Sequence, residues 1–221
     1  MAQSFRSCFS VLVGGLLLVP SSLAFKTPLS DQAVREAYFL GQRHDGTYPR
    51  LVEKYTKFLQ PPKTGPYVSS IALYTPFLQI VQYNDQLVAN YSAQQAELDH
   101  RKQEEFVIVL IQIQLTNSYP ATLIDPAGRR MGSSPLLIPR AHDFWKEFEV
   151  QIFDDEDLLS PSASHSHSNS RCGRAGPCVL TGATIELEFP ASAFLSDSAT
   201  IEVTPPEGDL VSVHFDLSRL R

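Results

Sequence analysis

The stretch that most constrains the fold of this chain is Phe106–Leu115, with the sequence FVIVLIQIQL. Its β-branched, aromatic and leucine side chains favour a buried β-strand. Alternate side chains of a strand face opposite sides of the sheet, so one face of this strand is apolar throughout and the other is apolar only at Phe106, Ile108 and Leu110. We therefore predict a central strand, packed on a second sheet along one face and covered over the first half of the other.

Four later segments alternate apolar and polar residues with a period of two, at 148–152, 183–189, 199–203 and 211–217. This pattern is typical of antiparallel strands with one buried and one wet face. Pro205 to Gly208 predicts a hairpin turn between the last two segments. Residues 63–221 are therefore predicted to form an antiparallel β-sandwich of about seven strands, immunoglobulin-like or similar. The Cys…Trp…Cys spacing of antibody domains is missing from the sequence.

Residues 29–60 have helical spacing and predict two short helices joined at His44-Asp45-Gly46, with Ser30 and Thr47 as N-caps. Helices this short need tertiary contacts, because they are marginal in water on their own. We expect this helical hairpin, residues 25–62, to pack on one sheet, and residues 25–221 to fold as one unit. The apolar stripes of the two helices are Val34, Ala37 and Tyr38 in the first and Leu51, Val52, Tyr55, Phe58 and Leu59 in the second, and their expected dock is Phe106, Ile108 and Leu110.

Three other segments precede or follow the central strand. Residues 67–83 are predicted to be two strand segments, or one strand bent at Pro76. Residues 92–102 predict a surface helix, in which Ser92 and Gln95 form a capping box. Residues 117–141 contain several Pro and Gly and little periodicity, and predict a long loop.

The first 24 residues have the features of a secretory signal peptide. Arg6 supplies the positive charge, an apolar run follows to Val19, and Ser22-Leu23-Ala24 places small residues before the expected cleavage site. The apolar run is short for a membrane span, although an uncleaved anchor is the alternative. We expect a mature protein that begins at Phe25, lies in the periplasm or outside the cell, and has no membrane span.

The charge of the chain is mildly acidic, with 18 basic and 24 acidic residues in 221. A chain of this charge has no basic field for nucleic acid and no attraction to anionic lipid. The sequence therefore predicts no nucleic-acid partner.

The segment from Ser160 to Cys178 is rich in serine and poor in apolar residues, and predicts a mobile hairpin loop. Cys172 and Cys178 are the only cysteines beyond Cys8, and an oxidising compartment favours a disulfide between them. Together with His165 and His167 they are the weak candidates for a transition-metal site. The H-x-H spacing is common in loops, so the disulfide-closed loop without metal is the preferred interpretation.

Other polar groups have a structural explanation that we prefer to a functional one. The acidic run 154–157 is a calcium candidate but lacks EF-hand spacing, so a solvated strand end is favoured. The pairs His44-Asp45 and His142-Asp143 have no nucleophile motif beside them. Ser212, His214 and Asp216 alternate on one strand face, and their parallel side chains do not form a triad. Asn90 begins a glycosylation sequon.

The aromatic residues predict either core positions or a binding surface for sugar or peptide, and core is the default. They are Tyr67, Tyr74, Phe77, Tyr83, Phe144 and Trp145. No cofactor-binding motif is present in the sequence, and no cofactor is predicted.

The sequence favours an exported, non-catalytic interaction or structural protein, whose partner is a protein or another component of the cell envelope. One alternative is a hydrolase or metal-dependent enzyme with a site assembled from separated loops. Another is a metal-handling protein that uses the His/Cys loop at 165–178.

Overall fold

The computed structural model describes residues 25, 27–63, 65–86, 91–117, 119, 122–124, 137–139, 141–173 and 178–221. Within these residues the fold is mainly β, with antiparallel sheets of five and four strands and four α-helices. No helix in the described part of the chain has the length and hydropathy needed to cross a membrane.

The described α-helices precede the central strand, whereas strands occur along the whole described chain. The helices are α1 (Asp31–Gly41), α2 (Thr47–Lys54), α3 (Pro76–Gln86) and α4 (Ala93–His100). The strands are β1 (Thr56–Phe58), β2 (Pro66–Tyr74), β3 (Phe106–Leu115), β4 (Thr122–Ile124), β5 (Leu137–Pro139), β6 (Glu149–Asp154), β7 (Asp157–Leu159), β8 (Ala163–Cys172), β9 (Cys178–Pro190), β10 (Ser198–Thr204) and β11 (Val211–Asp216).

The predicted central strand is confirmed as β3, the middle of a five-stranded sheet in the order β1-β2-β3-β9-β8. Val107, Val109, Ile111 and Ile113 are at most 1% exposed, as the fully apolar face requires. The opposite face is half-buried from Phe106 to Gln112, and Gln114 is exposed. β3 is therefore buried unequally on its two faces, in the manner its side-chain pattern predicts.

The alternating segments near the C-terminus are confirmed as strands. β6, β10 and β11 lie with β7 in the four-stranded sheet, in the order β11-β10-β6-β7, and the predicted hairpin joins β10 to β11. Ile152, Ile201 and Phe215 of this sheet share one hydrophobic cluster with Val109 and Ile185 of the five-stranded sheet. The inward faces of both sheets therefore bury their apolar side chains against each other.

The N-terminal helix α1 does bury its predicted stripe, but against helices α3 and α4. Val34 and Ala37 of α1 form a second hydrophobic cluster with Phe77, Val81 and Ala96. Gly41 permits this close approach, since a Cβ there would lie 2.5 Å from the carbonyl oxygen of Val81. An ion pair joins α1 to α4 on the same side, with Arg35 Nε 2.5 Å from the buried carboxylate of Glu97.

The structure does not confirm the predicted docking of a helical hairpin on Phe106, Ile108 and Leu110. All three side chains are half-buried, and the first two line a cavity bordered by α3 and α4. The second helix also ends early, at Lys54, and the chain then turns into β1, which pairs with β2. Tyr55 is consequently buried, at 2% exposed, whereas Phe58 is 72% exposed.

The predicted strand at 77–83 is wrong, because this segment is the helix α3. Pro76 occupies the first helical position, where a missing N–H costs nothing. The buried hydroxyl of Thr75 accepts a hydrogen bond from the N–H of Leu78 at 3.3 Å. Phe77 and Val81 are four residues apart and share one helical face, so the apolar residues of this segment have the spacing of a helix and not of a strand.

The predicted loop after Ser160 is wrong in its described part, because Ala163–Cys172 is the edge strand β8. It pairs with β9 along its whole length, from Ala163 opposite Glu188 to Cys172 opposite Cys178. Its side chains are half-buried or exposed, so it lacks the apolar alternation by which a strand is recognised. Hydrogen bonds to β9, rather than a hydrophobic face, hold this strand in the sheet.

Candidate functional site

A cavity lies between α3, α4 and the start of β3, and we call it the helical cleft. Its volume is about 600 Å³, within the range typical of small-ligand sites. α3 forms one wall with Gln79, Gln82 and Tyr83, and α4 forms another with Tyr91 nearby and Asp99 near its end. The side chains that line the helical cleft are therefore mostly amides, carboxylates and tyrosines.

Gln79 anchors α3 above the end of the five-stranded sheet. Its Nε2 atom donates to the carbonyl oxygens of Tyr74, at 3.0 Å, and Phe106, at 2.7 Å. Tyr74 and Phe106 belong to the adjacent strands β2 and β3. The first wall of the helical cleft is thus fixed to the end of β2 and the start of β3.

Two tyrosines line the helical cleft at its rim. The ring of Tyr83 meets the ring of Tyr91 edge to face, with 5.7 Å between their centroids. Tyr83 is 54% exposed, whereas Tyr91 is half-buried and donates to Asp99 at 3.2 Å. Burial, together with the neighbouring Asp99 carboxylate, raises the pKa of Tyr91 to about 12, so its hydroxyl stays protonated and acts as the donor.

A histidine–carboxylate pair lies at the end of the helical cleft where α4 leads into β3. His100 Nε2 is 2.8 Å from Glu105 Oε1, and the two side chains are 15% and 9% exposed. Glu105 also accepts from the Thr27 hydroxyl at 2.5 Å and from the Leu29 N–H at 2.6 Å. Burial acts to raise the pKa of the Glu105 carboxyl, but these three donors prevail and hold it below its usual value.

A second cleft adjoins the helical cleft across the connection from α4 to β3. It measures about 760 Å³ and lies between that connection, the N-terminal segment at Thr27–Leu29 and Pro190. His100, Gln103, Glu104 and Glu105 line both cavities. The two clefts together make a depression longer than either one alone.

The predicted disulfide between Cys172 and Cys178 is present at the end of the β8–β9 pair, with 4.0 Å between Cα atoms. Its sulfurs are therefore not free thiolates for a metal. His165 is exposed and lies 4.0 Å from the Glu188 carboxylate, and His167 is exposed opposite Thr184. Across the described residues, no three His, Cys, Asp or Glu side chains gather as a metal site would require.

The acidic run at 154–157 is solvated as the sequence predicts, except at Asp154, the last residue of β6. Asp154 is 6% exposed and accepts from the backbone N–H groups of Leu195, at 2.8 Å, and Ser196, at 3.1 Å. The Ser196 hydroxyl donates to the same carboxylate at 2.6 Å. Asp154 therefore anchors the chain that leads into β10, while Asp155, Glu156 and Asp157 are exposed.

The other polar pairs lie apart from the helical cleft. His44-Asp45 forms the predicted turn between α1 and α2. His142 and Asp143 are exposed, and Asp143 pairs with Lys146 at 3.1 Å. Ser212, His214 and Asp216 lie on the wet face of β11 as predicted, and each contacts a different neighbour: Glu202, Thr200 and Ser218 respectively.

The six aromatic residues, for which core positions were the default expectation, divide between core and exterior. Phe77 and Phe144 are buried, while Tyr67, Tyr74 and Trp145 are half-buried. Tyr83 is the member of this set that lies exposed at a cavity. Asn90, the sequon asparagine, lies outside the described residues.

The sequence did not indicate His100, Glu105 and Asp99 as site residues, although all three lie just before the central strand β3. The available signal was a polar cluster at the C-terminal end of a predicted surface helix, directly before the central strand. Such clusters are ordinarily solvated, so the signal was weak. The partners that distinguish Glu105, namely Thr27 and Leu29, are more than 70 residues distant along the chain.

Comparison with models of known protein families finds no match for this chain, and comparison with curated proteins finds no significant similarity.

Proposed function

We propose that the protein is an exported, non-catalytic binding protein whose ligand occupies the helical cleft. The observation that carries this proposal is that some of the groups lining the cavity already have hydrogen-bond or ionic partners and others do not. Its half-buried ionisable side chains are engaged with one another, whereas the exposed carboxylate of Glu104, amides and a tyrosine at the rim are left available. A site of this kind can recognise a ligand through its available groups, while its half-buried acids and its histidine are already engaged.

The engagement of the acidic groups supports binding over catalysis. The Asp99 carboxylate accepts from Tyr91 and from Gln95 at 2.8 Å, and lies 3.7 Å from Lys102 Nζ. Glu105 has three donors. A general base needs to reach the proton of a substrate, and carboxylates satisfied in this way are poorly placed to do so.

Export is part of the proposal, with a partner or ligand in the cell envelope or outside it. The signal-like features of residues 1–24 and the Cys172–Cys178 disulfide support it. Phe25 is 3% exposed and packs against Phe194, so cleavage after Ala24 retains this buried contact. Intact mass of the exported protein tests this point, and a mass that includes residues 1–24 contradicts it.

We also propose that the two sheets form an immunoglobulin-like sandwich with α1 and α2 as an N-terminal helical addition. The hydrophobic cluster shared by both sheets supports the sandwich. Tyr48 and Leu51 of α2 contact both hydrophobic clusters, which supports one folding unit for residues 25–221.

A second candidate function, a hydrolase, is favoured by one specific observation. Glu105 holds His100 through Nε2, and the other ring nitrogen has no partner within the described part of the chain. A carboxylate-oriented imidazole at a cavity is a common general base. Hydrolytic activity that His100→Gln abolishes in a folded protein would establish this alternative.

Thermal-shift measurements with four ligand classes test the binding proposal. The classes are neutral oligosaccharides, short peptides, polyamines and phosphate esters. We expect one class to raise the melting temperature of the wild-type protein and of Phe58→Ala, but not of Tyr83→Ala. Phe58 is a matched control because it is an exposed aromatic residue outside the helical cleft. No shift with any class, or equal shifts in both variants, would contradict the proposal.

A further inference from the structure

We propose that the helical cleft binds a neutral oligosaccharide. This inference rests on the proposed binding function and gives its ligand class. A sugar ring offers hydroxyl groups that both donate and accept hydrogen bonds, and C–H faces that pack on aromatic rings. The helical cleft offers the complements of both, and offers little to an anionic ligand.

Three amides and the Glu104 carboxylate are polar groups of the helical cleft without a side-chain partner among the described residues. Gln82, Gln86 and Gln103 line it, and their side chains make no hydrogen bond to any other described residue. Each amide provides two N–H donors and a carbonyl acceptor in one plane. That combination matches adjacent hydroxyl groups on a pyranose, each of which donates one hydrogen bond and accepts others.

The available apolar surface at the rim is the ring of Tyr83. It is 54% exposed, and it lies nearly perpendicular to the ring of Tyr91, at an interplanar angle of 81°. Edge-to-face packing restrains the ring while leaving surface free for another contact. The C–H face of a sugar would remove that surface from water while its hydroxyl groups reach the amides of α3.

The charges in the helical cleft argue against an anionic ligand, because the exposed carboxylate of Glu104 also lines it. Asp99 is paired with Lys102, and Glu105 with His100. Displacing one of these partners to bind an ion would leave a partly buried charge uncompensated, which is costly. A neutral polyol needs no such exchange, because it adds hydrogen bonds to groups that have spare capacity.

The adjoining second cleft indicates a chain of sugars rather than one. The two cavities, of about 600 and 760 Å³, share the Gln103–Glu105 segment as a common border. Gln103 is exposed on this border and can reach a ligand in either cavity. An oligosaccharide that crosses the border would contact both, so affinity should increase with chain length.

Calorimetric titration of the full exported protein with three hexasaccharides tests the inference. The probes are maltohexaose, cellohexaose and the hexamer of N-acetylglucosamine, each with its disaccharide. We expect at least one hexamer to bind, and to bind about tenfold or more tightly than its disaccharide. Tyr83→Ala should weaken that binding about tenfold, as loss of an aromatic contact does, and Gln82→Ala should weaken it too.

Phe58→Ala is the matched control and should bind as the wild type does, and the melting temperature of each variant verifies that it is folded. No heat with any hexamer up to about 10 mM overturns the oligosaccharide inference. So does binding that Tyr83→Ala and Gln82→Ala leave unchanged. If another ligand class then gives a Tyr83-dependent thermal shift, the binding function stands and only its ligand class is wrong; if no class does, both fail.

Discussion

The imidazole of His100 and the carboxylate of Glu105 are 2.8 Å apart, at the point where α4 leads into the central strand. Glu105 also receives hydrogen bonds from Thr27 and Leu29, so one carboxylate joins the N-terminal segment to this connection. The backbone of Glu105 adds a third segment, since its carbonyl oxygen accepts a hydrogen bond from the N–H of Ala191, which follows β9. Glu105 therefore organises the junction of three chain segments.

The first prediction concerns the pH dependence that Glu105 confers. Its folded pKa is below the unfolded value, near 4.5, so its stabilising contribution is complete above that pH and is lost as the pH falls through the folded pKa. Glu105→Gln should lower the free energy of unfolding by about 1.5–3 kcal/mol at neutral pH, and the difference should shrink below about pH 4.5. Urea denaturation of both proteins at several pH values between about 3 and 7 measures this difference in unfolding free energy.

Glu104→Gln is the control for this experiment, because Glu104 is an exposed neighbour of the same charge. It should change stability by less than about 0.5 kcal/mol at every pH. A Glu105→Gln effect that does not vary with pH would show that packing, rather than the carboxylate, holds the junction together.

The second prediction separates two aromatic residues only three positions apart. Tyr55 is buried, and its hydroxyl accepts from the N–H of Arg221 at 3.0 Å, whereas Phe58 is exposed. Tyr55→Ala should therefore destabilise the protein by about 3 kcal/mol or more, and Phe58→Ala by less than about 0.5 kcal/mol. Thermal melting compares the two, and similar losses would contradict the placement of this segment.

The third prediction concerns Gly182 on β9, which lies directly beside β3. A Cβ at this position would lie 2.1 Å from the carbonyl oxygen of Ile113, and a backbone atom cannot move aside as the end of a side chain can. Gly182→Ala should cost about 1–3 kcal/mol or more, because the two central strands must separate locally. Val179→Ala, at an exposed position on the same strand, should change the unfolding free energy little.

The fourth prediction is that the disulfide at the end of β8 and β9 contributes modestly. The bonded cysteines are six positions apart, so the loop closed is short and the entropic stabilisation is small. Replacing both with Ser should lower the free energy of unfolding by no more than about 2 kcal/mol. Denaturation of the double variant measures the loss, and failure of that variant to fold would mean that β8 depends on the disulfide.

Strands with one buried face could be predicted from the sequence because their side chains carry the signal themselves. β3, β6, β9, β10 and β11 each present apolar residues every second position, and the structure places those residues in the core. The capped starts of α1 and α4 were predicted for a similar reason. Ser30 and Ser92 accept hydrogen bonds from residues only three positions away, so the signal is contained within one turn.

Other elements are stabilised by contacts with distant parts of the chain, and only the tertiary structure shows whether they are helix or strand. β8 has no apolar face and is a strand because β9 supplies its hydrogen bonds. Helix α3 is stabilised by the hydrophobic cluster in which its residues Phe77 and Val81 pack with Val34 and Ala37 of α1. The helical cleft likewise arises where α3, α4 and β3 meet, and Glu105 owes its surroundings to residues more than 70 positions away. The local sequence pattern therefore determined which residues this protein buries along its main strands. Contacts between distant segments determined where its cavity and its polar junction lie, because the free energy of such contacts leaves no signal in the local pattern.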